Sequence, residues 1–391
     1  MAANRSLKEN KRRIPATLLS DAEVIGRILD HIDHKTTDRG TGIWQEPVDN
    51  YMSQERFELE VNLIRQHYTV YCPSASLTES GSYVARDVGG LPMVVVRGED
   101  GQVRAFKNVC RHRGVQVAEE GSGQAKSFVC PYHAWTYGLD GSLRAVPHQD
   151  GFPNLKKCER GLVPVNCSES QGLIFVGLQN GNAISDMDKL SDTPSLIPEG
   201  YKIHEETHIE LPANWKIVLE SFLEGYHIRS LHTHSFYPLQ YDNLNVVEQF
   251  GPHSRVSFPY RSVEALRSRP ASHWTADARL TYVYQLFPNA IVATHPGFKA
   301  VIVFEPLAVD KTKQINYIVT NSELGDAEQV SRLNSAIAVA NSGTDEDRSM
   351  VFSGQRGLAA QANEHLEFGL FESAIVHFHS TLSQALTLAA D

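Results

Sequence analysis

The sequence reads CRHRG at residues 110–114 and CPYHAW at residues 130–135. Each stretch places one cysteine close to one histidine, which indicates two loops that present one thiolate and one imidazole each to a shared metal centre. The surrounding segments are short and rich in Val, Tyr and Phe. They are separated by turn sequences, GEDG at 98–101 and DG at 140–141, that are typical of β-hairpins. Residues 68–180 are therefore predicted to be all-β.

The spacing of Cys110, His112, Cys130 and His133 favours a two-iron cluster over a single zinc ion. Structural zinc sites usually take ligands separated by two to four residues, and the one-residue gap between Cys110 and His112 fits poorly. Residues two apart in an extended loop stand about 6–7 Å apart, which suits ligands of two different irons. Two cysteines on one iron and two histidines on the other make a Rieske [2Fe–2S] centre. A zinc ribbon, or four unrelated residues, is the alternative interpretation.

The composition is that of a globular protein without the marks of a general nucleic-acid binder. The chain has 391 residues, 41% of them hydrophobic, and a formal net charge of −10 at pH 7, which argues against a polyanionic partner. No stretch resembles a signal peptide or a membrane span, so a cytoplasmic protein is expected. Cys72, Cys158 and Cys167 are expected to be small buried hydrophobic residues, since an odd total of five cysteines argues against a disulfide framework.

Hydrophobic patterning divides the chain into an N-terminal helical segment (1–60), a cluster domain (61–180) and a catalytic α+β domain (181–391). Ser20 is a candidate cap for the first helix. Residues 181–200 have the polar, Pro- and Gly-containing composition of a linker. Helical spacing is found at 17–35, 53–67, 214–233, 326–341, 344–358 and 370–388, and strand-like patterns at 201–211, 281–296, 299–306 and 314–321. Strands and helices without regular alternation predict helices over an antiparallel sheet.

A second group of candidate ligands lies in NWKIVLESFLEGYHIRSLHTHSFYP, residues 214–238. Two histidines and one carboxylate form the ligand set of non-haem Fe(II) oxygenases. His227 and His232 are roughly 140° apart on a straight helix, so they can grip one ion only if the helix bulges or ends between them. Glu224 shares a helix face with His227 and is expected to accept the second N–H of its ring. His234 is an alternative to His232.

These motifs resemble those of the oxygenase α subunits of Rieske non-haem iron oxygenases, the ring-hydroxylating oxygenases. CRHRG and CPYHAWTYGLDGSL resemble the cluster loops of that family, and NWK…E-x-F-x-E-x-YH-x4-H resembles its mononuclear iron helix. FPN at 287–289 and ESAIVHFH at 372–379 are also similar, so the resemblance covers roughly residues 60–380. It implies a small all-β Rieske domain followed by an antiparallel-sheet-plus-helices catalytic domain of the helix-grip, START-like type.

The same resemblance implies a [2Fe–2S] cluster and a mononuclear Fe(II), the latter bound by His227, His232 and Asp347. Asp347 is chosen because Glu346–Asp347 stands eight residues before Gln-Arg-Gly at 355–357. Asp345 and Glu346 are alternative ligands. A capping box over 344–347, with Thr344 as the cap, is a purely structural explanation of the same residues.

Glu224 stands where many ring dihydroxylating enzymes have Asp. Its presence resembles the branch that oxidises carnitine, betaine and related quaternary amines. In the family, this carboxylate connects a cluster histidine of one subunit to an iron histidine of the next. The resemblance therefore implies a homotrimer with a route from His133 through Glu224 to His227 of the neighbouring subunit.

The implied function is that of a terminal oxygenase, which uses O2 to hydroxylate or dealkylate a small aromatic or quaternary-amine substrate. Its electrons come from an NAD(P)H-dependent reductase, with or without a ferredoxin. That reductase is a separate protein, because the chain has no nucleotide-binding fingerprint and its three other cysteines cannot hold a four-cysteine cluster. The alternatives are a non-catalytic Rieske electron carrier and a zinc-stabilised interaction module.

Two surfaces are predicted for the partners of this oxygenase. A basic patch for docking an acidic reductase is formed by Lys107, Arg111 and Arg113. An aromatic box for a quaternary ammonium group is formed by Phe222, Tyr226, Phe236, Tyr237 and Tyr241. Each has a structural alternative, since arginines also tie down loops and aromatic residues also fill cores.

Overall fold

The computed structural model describes residues 18–178, 189–190, 193–321 and 327–390. Much of the predicted linker at 181–200 lies outside these residues. The helices are α1 (Asp21–His34), α2 (Asp49–Met52), α3 (Gln54–Gln66), α4 (Trp215–Glu220), α5 (Ile228–Leu231), α6 (Ala327–Leu358) and α7 (Ser373–Ala390).

The strands form two large antiparallel sheets, a small sheet and a two-stranded ribbon. The ribbon pairs β1 (Trp44–Pro47) with the last strand of the chain. The first ten remaining strands are β2 (Thr69–Pro73), β3 (Ser82–Val88), β4 (Leu91–Arg97), β5 (Val103–Lys107), β6 (Gly121–Gln124), β7 (Phe128–Val129), β8 (Thr136–Tyr137), β9 (Leu143–Ala145), β10 (Pro164–Ser170) and β11 (Leu173–Gly177). The others are β12 (Tyr201–Leu211), β13 (Val246–Phe250), β14 (His253–Pro259), β15 (Leu280–Leu286), β16 (Ala290–His295), β17 (Phe298–Ala308), β18 (Lys311–Asn321) and β19 (His365–Phe368).

The first large sheet carries the two cysteine–histidine loops. Its strand order is β2-β11-β10-β5-β4-β3-β6, and β7, β8 and β9 form the small sheet beside it. The predicted hairpin at 98–101 joins β4 to β5, with Gly101 in the left-handed region at φ 77°. The loop with CRHRG follows β5, and the loop with CPYHAW connects β7 to β8. Both loops therefore start from strands that are hydrogen-bonded in a sheet, and this pairing fixes the positions of the loops on the domain.

The second large sheet has the order β12-β18-β17-β16-β15-β14-β13 and is antiparallel throughout. Helices α4 and α6 pack against each other, α4 contacts β17, and α7 packs on β13 and β14. This arrangement confirms the predicted α+β class with a sheet covered by helices. Strands β13 and β14 had no sequence prediction.

The N-terminal helix is capped as predicted and belongs to the same hydrophobic core as the second sheet. Ser20 accepts a hydrogen bond from the Glu23 backbone, and the Glu23 side chain reaches back to Ser20, which completes a capping box. Val24, Ile25 and Ile28 recur at helical spacing and are fully buried. This helix therefore closes one side of the sheet by burying its apolar face against β13.

Helix α6 is continuous, although two helices were predicted at 326–341 and 344–358. The apparent break is Ser-Gly-Thr at 342–344, and a glycine normally weakens a helix. Gly343 is buried, and a Cβ atom there would lie 2.2 Å from the Phe236 ring. The glycine therefore permits close packing and does not end the helix. Thr344 lies inside the helix and donates to the Ala340 carbonyl oxygen, so the capping-box explanation is wrong.

Among the described residues, no helix has the length and apolarity that a bilayer crossing needs.

Candidate metal centres and active site

His227, His232 and Asp347 converge on one point between α5 and α6. The Nε2 atoms of the two histidines are 3.1 Å apart. Asp347 Oδ1 lies 3.4 Å from His227 Nε2 and 3.1 Å from His232 Nε2. All three ligand atoms lie within 4.8 Å of one another. This is the size and donor set of a mononuclear metal site with two imidazoles and one carboxylate.

A broken helix allows the two histidines to meet. The predicted single helix over 214–233 is wrong: α4 starts after its N-cap Asn214 and ends at Glu220, and α5 covers only four residues. His227 immediately precedes α5 and His232 immediately follows it. Because His232 has left the helical conformation, with ψ 37°, its ring is not held about 140° from His227 as on a straight helix. The requirement for a helix end between them is met.

Each histidine of the triad is oriented by a carboxylate on its other ring nitrogen. Nδ1 of His227 contacts Glu224, which also accepts a hydrogen bond from the backbone N–H of Tyr226. Nδ1 of His232 lies 2.7 Å from Glu346, whose position is fixed by the hydroxyl of Ser235. With the proton on Nδ1, each Nε2 carries a lone pair directed at Asp347, as a metal ligand requires.

The carboxylates make the triad favourable for a cation. Burial would lower the pKa of His227, but its hydrogen bonds to Asp347 and Glu224 outweigh burial and raise the pKa to about 10. Burial would raise the pKa of Asp347, whereas its hydrogen bonds to both histidines lower it. A divalent cation satisfies the same acceptors that a proton satisfies here.

The two cysteine–histidine loops have the same backbone geometry. The Cys110 N–H donates to the Val115 carbonyl oxygen at 2.8 Å, and the Cys130 N–H donates to that of Trp135 at 2.9 Å. In each loop, the residue four positions after the cysteine donates back to the cysteine carbonyl oxygen, and that residue adopts a positive φ. The left-handed residues are Gly114 and Ala134, so the loops are two copies of one turn.

These turns bring the two imidazoles together and bury the two cysteines. The rings of His112 and His133 are 4.6 Å apart between centroids, and both cysteines are buried. The Nδ1 atoms of both histidines are buried and have no hydrogen-bond partner among the described residues. Since buried polar atoms are rarely unpaired, these nitrogens indicate a missing partner that accepts imidazole lone pairs.

Aromatic residues around the loops were not identified from the sequence. Trp135 stacks on the His112 ring at 4.9 Å with an interplanar angle of 5°. The Tyr137 hydroxyl accepts a hydrogen bond from the Arg111 backbone N–H and lies 3.3 Å from Cys110 Sγ, a distance at which it can donate to a thiolate sulfur. Both residues belong to the CPYHAWTY stretch, where their proximity to His133 was the available signal.

Comparison with known proteins supports both centres. The family profile described as Rieske [2Fe-2S] domain matches residues 67–159, and the one described as Ring hydroxylating alpha subunit (catalytic domain) matches residues 198–388. The carnitine monooxygenase oxygenase subunit of Escherichia coli (strain K12) is 30% identical over 369 residues, covering 87% of this chain and 93% of that protein. The chain belongs to the Rieske ring-hydroxylating oxygenases.

Other relatives place this oxygenase in the carnitine- and betaine-type branch. The glycine betaine monooxygenase oxygenase subunit of Chromohalobacter salexigens is 32% identical over 233 residues, covering 58% of this chain and 50% of that protein. The fold matches that of the quaternary ammonium Rieske monooxygenase CntA in complex with L-carnitine, with a TM-score of 0.74, 23% identity and coverage of 94% and 99% of the two chains. The fold also matches that of naphthalene 1,2-dioxygenase from Rhodococcus sp. bound to indole, with a TM-score of 0.73, 19% identity and coverage of 95% of this chain and 99% of that chain.

The family fixes the class of reaction and the cofactors. As a Rieske oxygenase, the chain is an oxidoreductase that incorporates oxygen and uses a Rieske [2Fe–2S] cluster and a mononuclear iron. Oxygenase subunits of this family take electrons from a partner reductase. The predicted function and cofactor types are thereby confirmed, whereas the individual ligands stay predictions.

A cavity of about 280 Å³ adjoins the triad of this oxygenase. The sheet provides its floor, and its roof is provided by the segment between α4 and α5, by α5 and by α6. Four phenylalanines line it: Phe222, Phe236, Phe258 and Phe298. Phe236 also contacts His232, with ring centroids 4.7 Å apart, so the apolar wall reaches the candidate iron ligands.

Three members of the predicted aromatic box do not line this cavity. Tyr226 is 60% exposed on the surface. Tyr237 and Tyr241 stack with Arg261, and the Tyr241 hydroxyl donates to Glu264. Only Phe222 and Phe236 of the predicted box line the cavity, so the box as predicted is wrong.

Two other sequence predictions also fail in part. Cys158 is exposed and Cys167 is half-buried, whereas Cys72 is buried as expected. Arg111 is half-buried and donates to the Gly161 carbonyl oxygen at 3.1 Å, so it ties down the cluster loop and is a poor docking residue. Arg113 remains exposed and lies over the Tyr132 ring.

Proposed function

We propose that Cys110, His112, Cys130 and His133 hold the Rieske cluster of this oxygenase. The donor set fits, since it offers two buried thiols and two buried imidazole nitrogens without other partners among the described residues. Burial and the neighbouring His133 lower the pKa of His112, so its ring is neutral and can bind a metal at pH 7.

We propose that His227, His232 and Asp347 hold the mononuclear iron. Their convergence beside a cavity supports this more directly than any other observation, because two histidines and one carboxylate leave coordination positions free for O2 and substrate. Iron in such a site supplies the oxidising chemistry, with electrons delivered through the cluster. Glu346 and Asp345 are then not ligands, since Glu346 contacts the opposite nitrogen of His232 and Asp345 is paired with Arg348.

The remaining residues of the site orient the two histidines, position the substrate and exclude water. Glu224 and Glu346 accept hydrogen bonds from the Nδ1 atoms of His227 and His232, which would leave both Nε2 atoms available to bind the iron. The phenylalanine walls position an apolar body against the iron ligands and exclude bulk water. The substrate is a small quaternary amine or aromatic compound that binds in the cavity. The enzyme hydroxylates or dealkylates the part of the substrate that lies nearest to the triad.

The proposed assembly is a homotrimer in which Glu224 connects His133 of one subunit to His227 of the next. Both ends of that route are near the surface: Tyr132, beside His133, is 56% exposed, and Tyr226, beside Glu224, is 60% exposed. The reductase is NAD(P)H-dependent, with or without a ferredoxin. A cytoplasmic location and the domain limits 1–60, 61–180 and 181–391 also stay predictions.

Metal analysis with reductase-driven O2 uptake tests this function. About three irons and two labile sulfides per chain are expected, whereas a simple electron carrier has about two irons and a zinc module has none. The Asp347→Ala variant should keep the cluster absorption, lose the third iron and form no product. A variant that keeps all three irons would exclude Asp347 as a ligand. Carnitine-like amines and simple arenes are then compared as substrates.

A further inference from the structure

The floor of the cavity carries a chain of polar side chains on β12 and β18. Thr207 and Asn316 face each other across these strands, and Gln314 lies two residues before Asn316 on the same face. Gln314 Nε2 donates to Asn316 Oδ1 at 2.7 Å, and Asn316 Nδ2 donates to Thr207 Oγ1 at 3.1 Å. All three residues line the cavity. The hydrogen bonds in this series all run from Gln314 towards Thr207, so the Gln314 carbonyl oxygen stands at the end of the series.

Gln314 is 1% exposed, and its Oε1 is buried without a hydrogen-bond partner among the described residues. Gln240, a second buried amide at the same cavity, differs because neither of its side-chain polar atoms is among the buried atoms without a hydrogen-bond partner in the described residues. A buried acceptor without a donor is unfavourable, and a donor placed there gains affinity by satisfying it.

We propose that Gln314 is a specificity-determining residue, whose Oε1 accepts a hydrogen bond from a neutral O–H or N–H group of the substrate. The inference rests on the proposed function, in which this cavity holds the substrate. It narrows the substrate class to a small molecule with an apolar or quaternary-ammonium body and one neutral donor. A quaternary ammonium group has no N–H, so in such a substrate the donor is a hydroxyl group on the rest of the molecule.

Two pairs of probes that differ mainly in one donor test this inference. L-carnitine is paired with γ-butyrobetaine, which lacks the hydroxyl, and indole is paired with benzofuran, which lacks the N–H. Dissociation constants are measured by calorimetry on the iron-loaded holoprotein without reductase, so no turnover occurs. In the pair that the cavity accepts, the donor-bearing probe should bind about fivefold tighter.

Two variants assign that preference to one side chain. Gln314→Met keeps the length and should bring the ratio within each pair close to one, whereas Gln240→Met should retain the wild-type ratio. Equal affinities within a pair for the wild-type protein, or a preference that survives Gln314→Met, would overturn the inference while leaving the oxygenase function intact. Failure of all four probes to bind would contradict both the inference and the substrate classes proposed above. The wild-type comparison needs no variant to fold.

Discussion

Glu346 lies outside the proposed iron ligand set but contacts one of its members, His232. It accepts the Nδ1 proton of His232 and is held by Ser235, whereas its neighbour Asp345 is 71% exposed and paired with Arg348. We predict that Glu346→Ala weakens Fe(II) affinity about 10- to 100-fold, because the imidazole loses its orientation and basicity. Asp345→Ala is the matched control and should change affinity about twofold or less. Equal effects in an Fe(II) titration would exclude this orienting role.

Tyr137 contacts a proposed ligand of the cluster, as Glu346 contacts a proposed ligand of the iron. Its hydroxyl lies 3.3 Å from Cys110 Sγ and donates to that sulfur when the sulfur is a thiolate, because a thiolate has no proton to donate. A hydrogen bond to a cluster thiolate favours the reduced, more negative state. Tyr137→Phe should therefore lower the reduction potential of the cluster by about 20–60 mV, the equivalent of one hydrogen bond. Protein-film voltammetry measures this, and an unchanged potential would show that the hydroxyl does not donate to sulfur.

At the scale of elements, the packing of α6 depends on Gly343. A Cβ atom there would lie 2.2 Å from the Phe236 ring, whereas Gly354 in the same helix has no heavy atom within 4 Å of its would-be Cβ. We predict that Gly343→Ala destabilises the protein by about 1–3 kcal/mol and disturbs iron binding, because the displaced ring contacts His232. Gly354→Ala should stabilise it by about 0.5–1 kcal/mol. Thermal unfolding with iron analysis compares them; two stabilised variants would contradict the packing argument.

These glycines also show which elements the sequence could predict. Strand β12 and helices α1 and α3 follow local periodicity and caps, so they were found within a few residues. The break between α4 and α5 and the continuity of α6 were not located, because the contacts that accompany them join residues distant in sequence: His232 with Glu346 in one case and Gly343 with Phe236 in the other. Strand β14 is buried along its whole length and therefore lacks the alternation that identifies a half-exposed strand.

The residues of the candidate site likewise differ in whether the sequence could predict them. The cysteine–histidine pairs stand close together in sequence, so their spacing predicted a shared centre. Asp347 lies 115 positions after His232 and was found only through family resemblance. Nothing local to Gln314 or Glu346 indicates that they face the cavity or a histidine, because those contacts arise from sheet pairing and helix packing.

At the scale of the whole molecule, the two large sheets meet at a buried carboxyl group. Glu305 of β17 is 2% exposed, lies 3.7 Å from Arg86 of β3 and accepts a hydrogen bond from the Gly90 N–H at 3.3 Å. Burial raises its pKa from 4.5 to about 7, although Arg86 partly opposes the shift. The folded state therefore binds more protons than the unfolded state between these values, and the stability contributed by Glu305 falls as pH rises from 4.5 to 7.

Glu305→Gln should remove this pH dependence while keeping an acceptor for Gly90. We predict that the variant gains stability relative to wild type from pH 5 to pH 8, by about 3 kcal/mol at most. The exposed Glu210, which pairs with Lys311, provides the control, and Glu210→Gln should give a nearly constant difference across the same range. Denaturant unfolding at several pH values measures both. A difference for Glu305→Gln that does not grow with pH would show that the carboxyl group is ionised throughout.

The proposed route between subunits makes a prediction for mixed trimers. Cys110→Ser removes the cluster of a protomer and Asp347→Ala removes its iron, so each variant alone should be inactive. If electrons pass from the cluster of one subunit to the iron of the next, random co-assembly in equal amounts should restore about one quarter of the wild-type activity. This fraction follows because half of the irons are intact and half of those have an intact neighbouring cluster. Transfer within one subunit predicts no activity in the mixture. Reductase-driven product formation, with iron content and trimer mass measured on the same sample, separates the two.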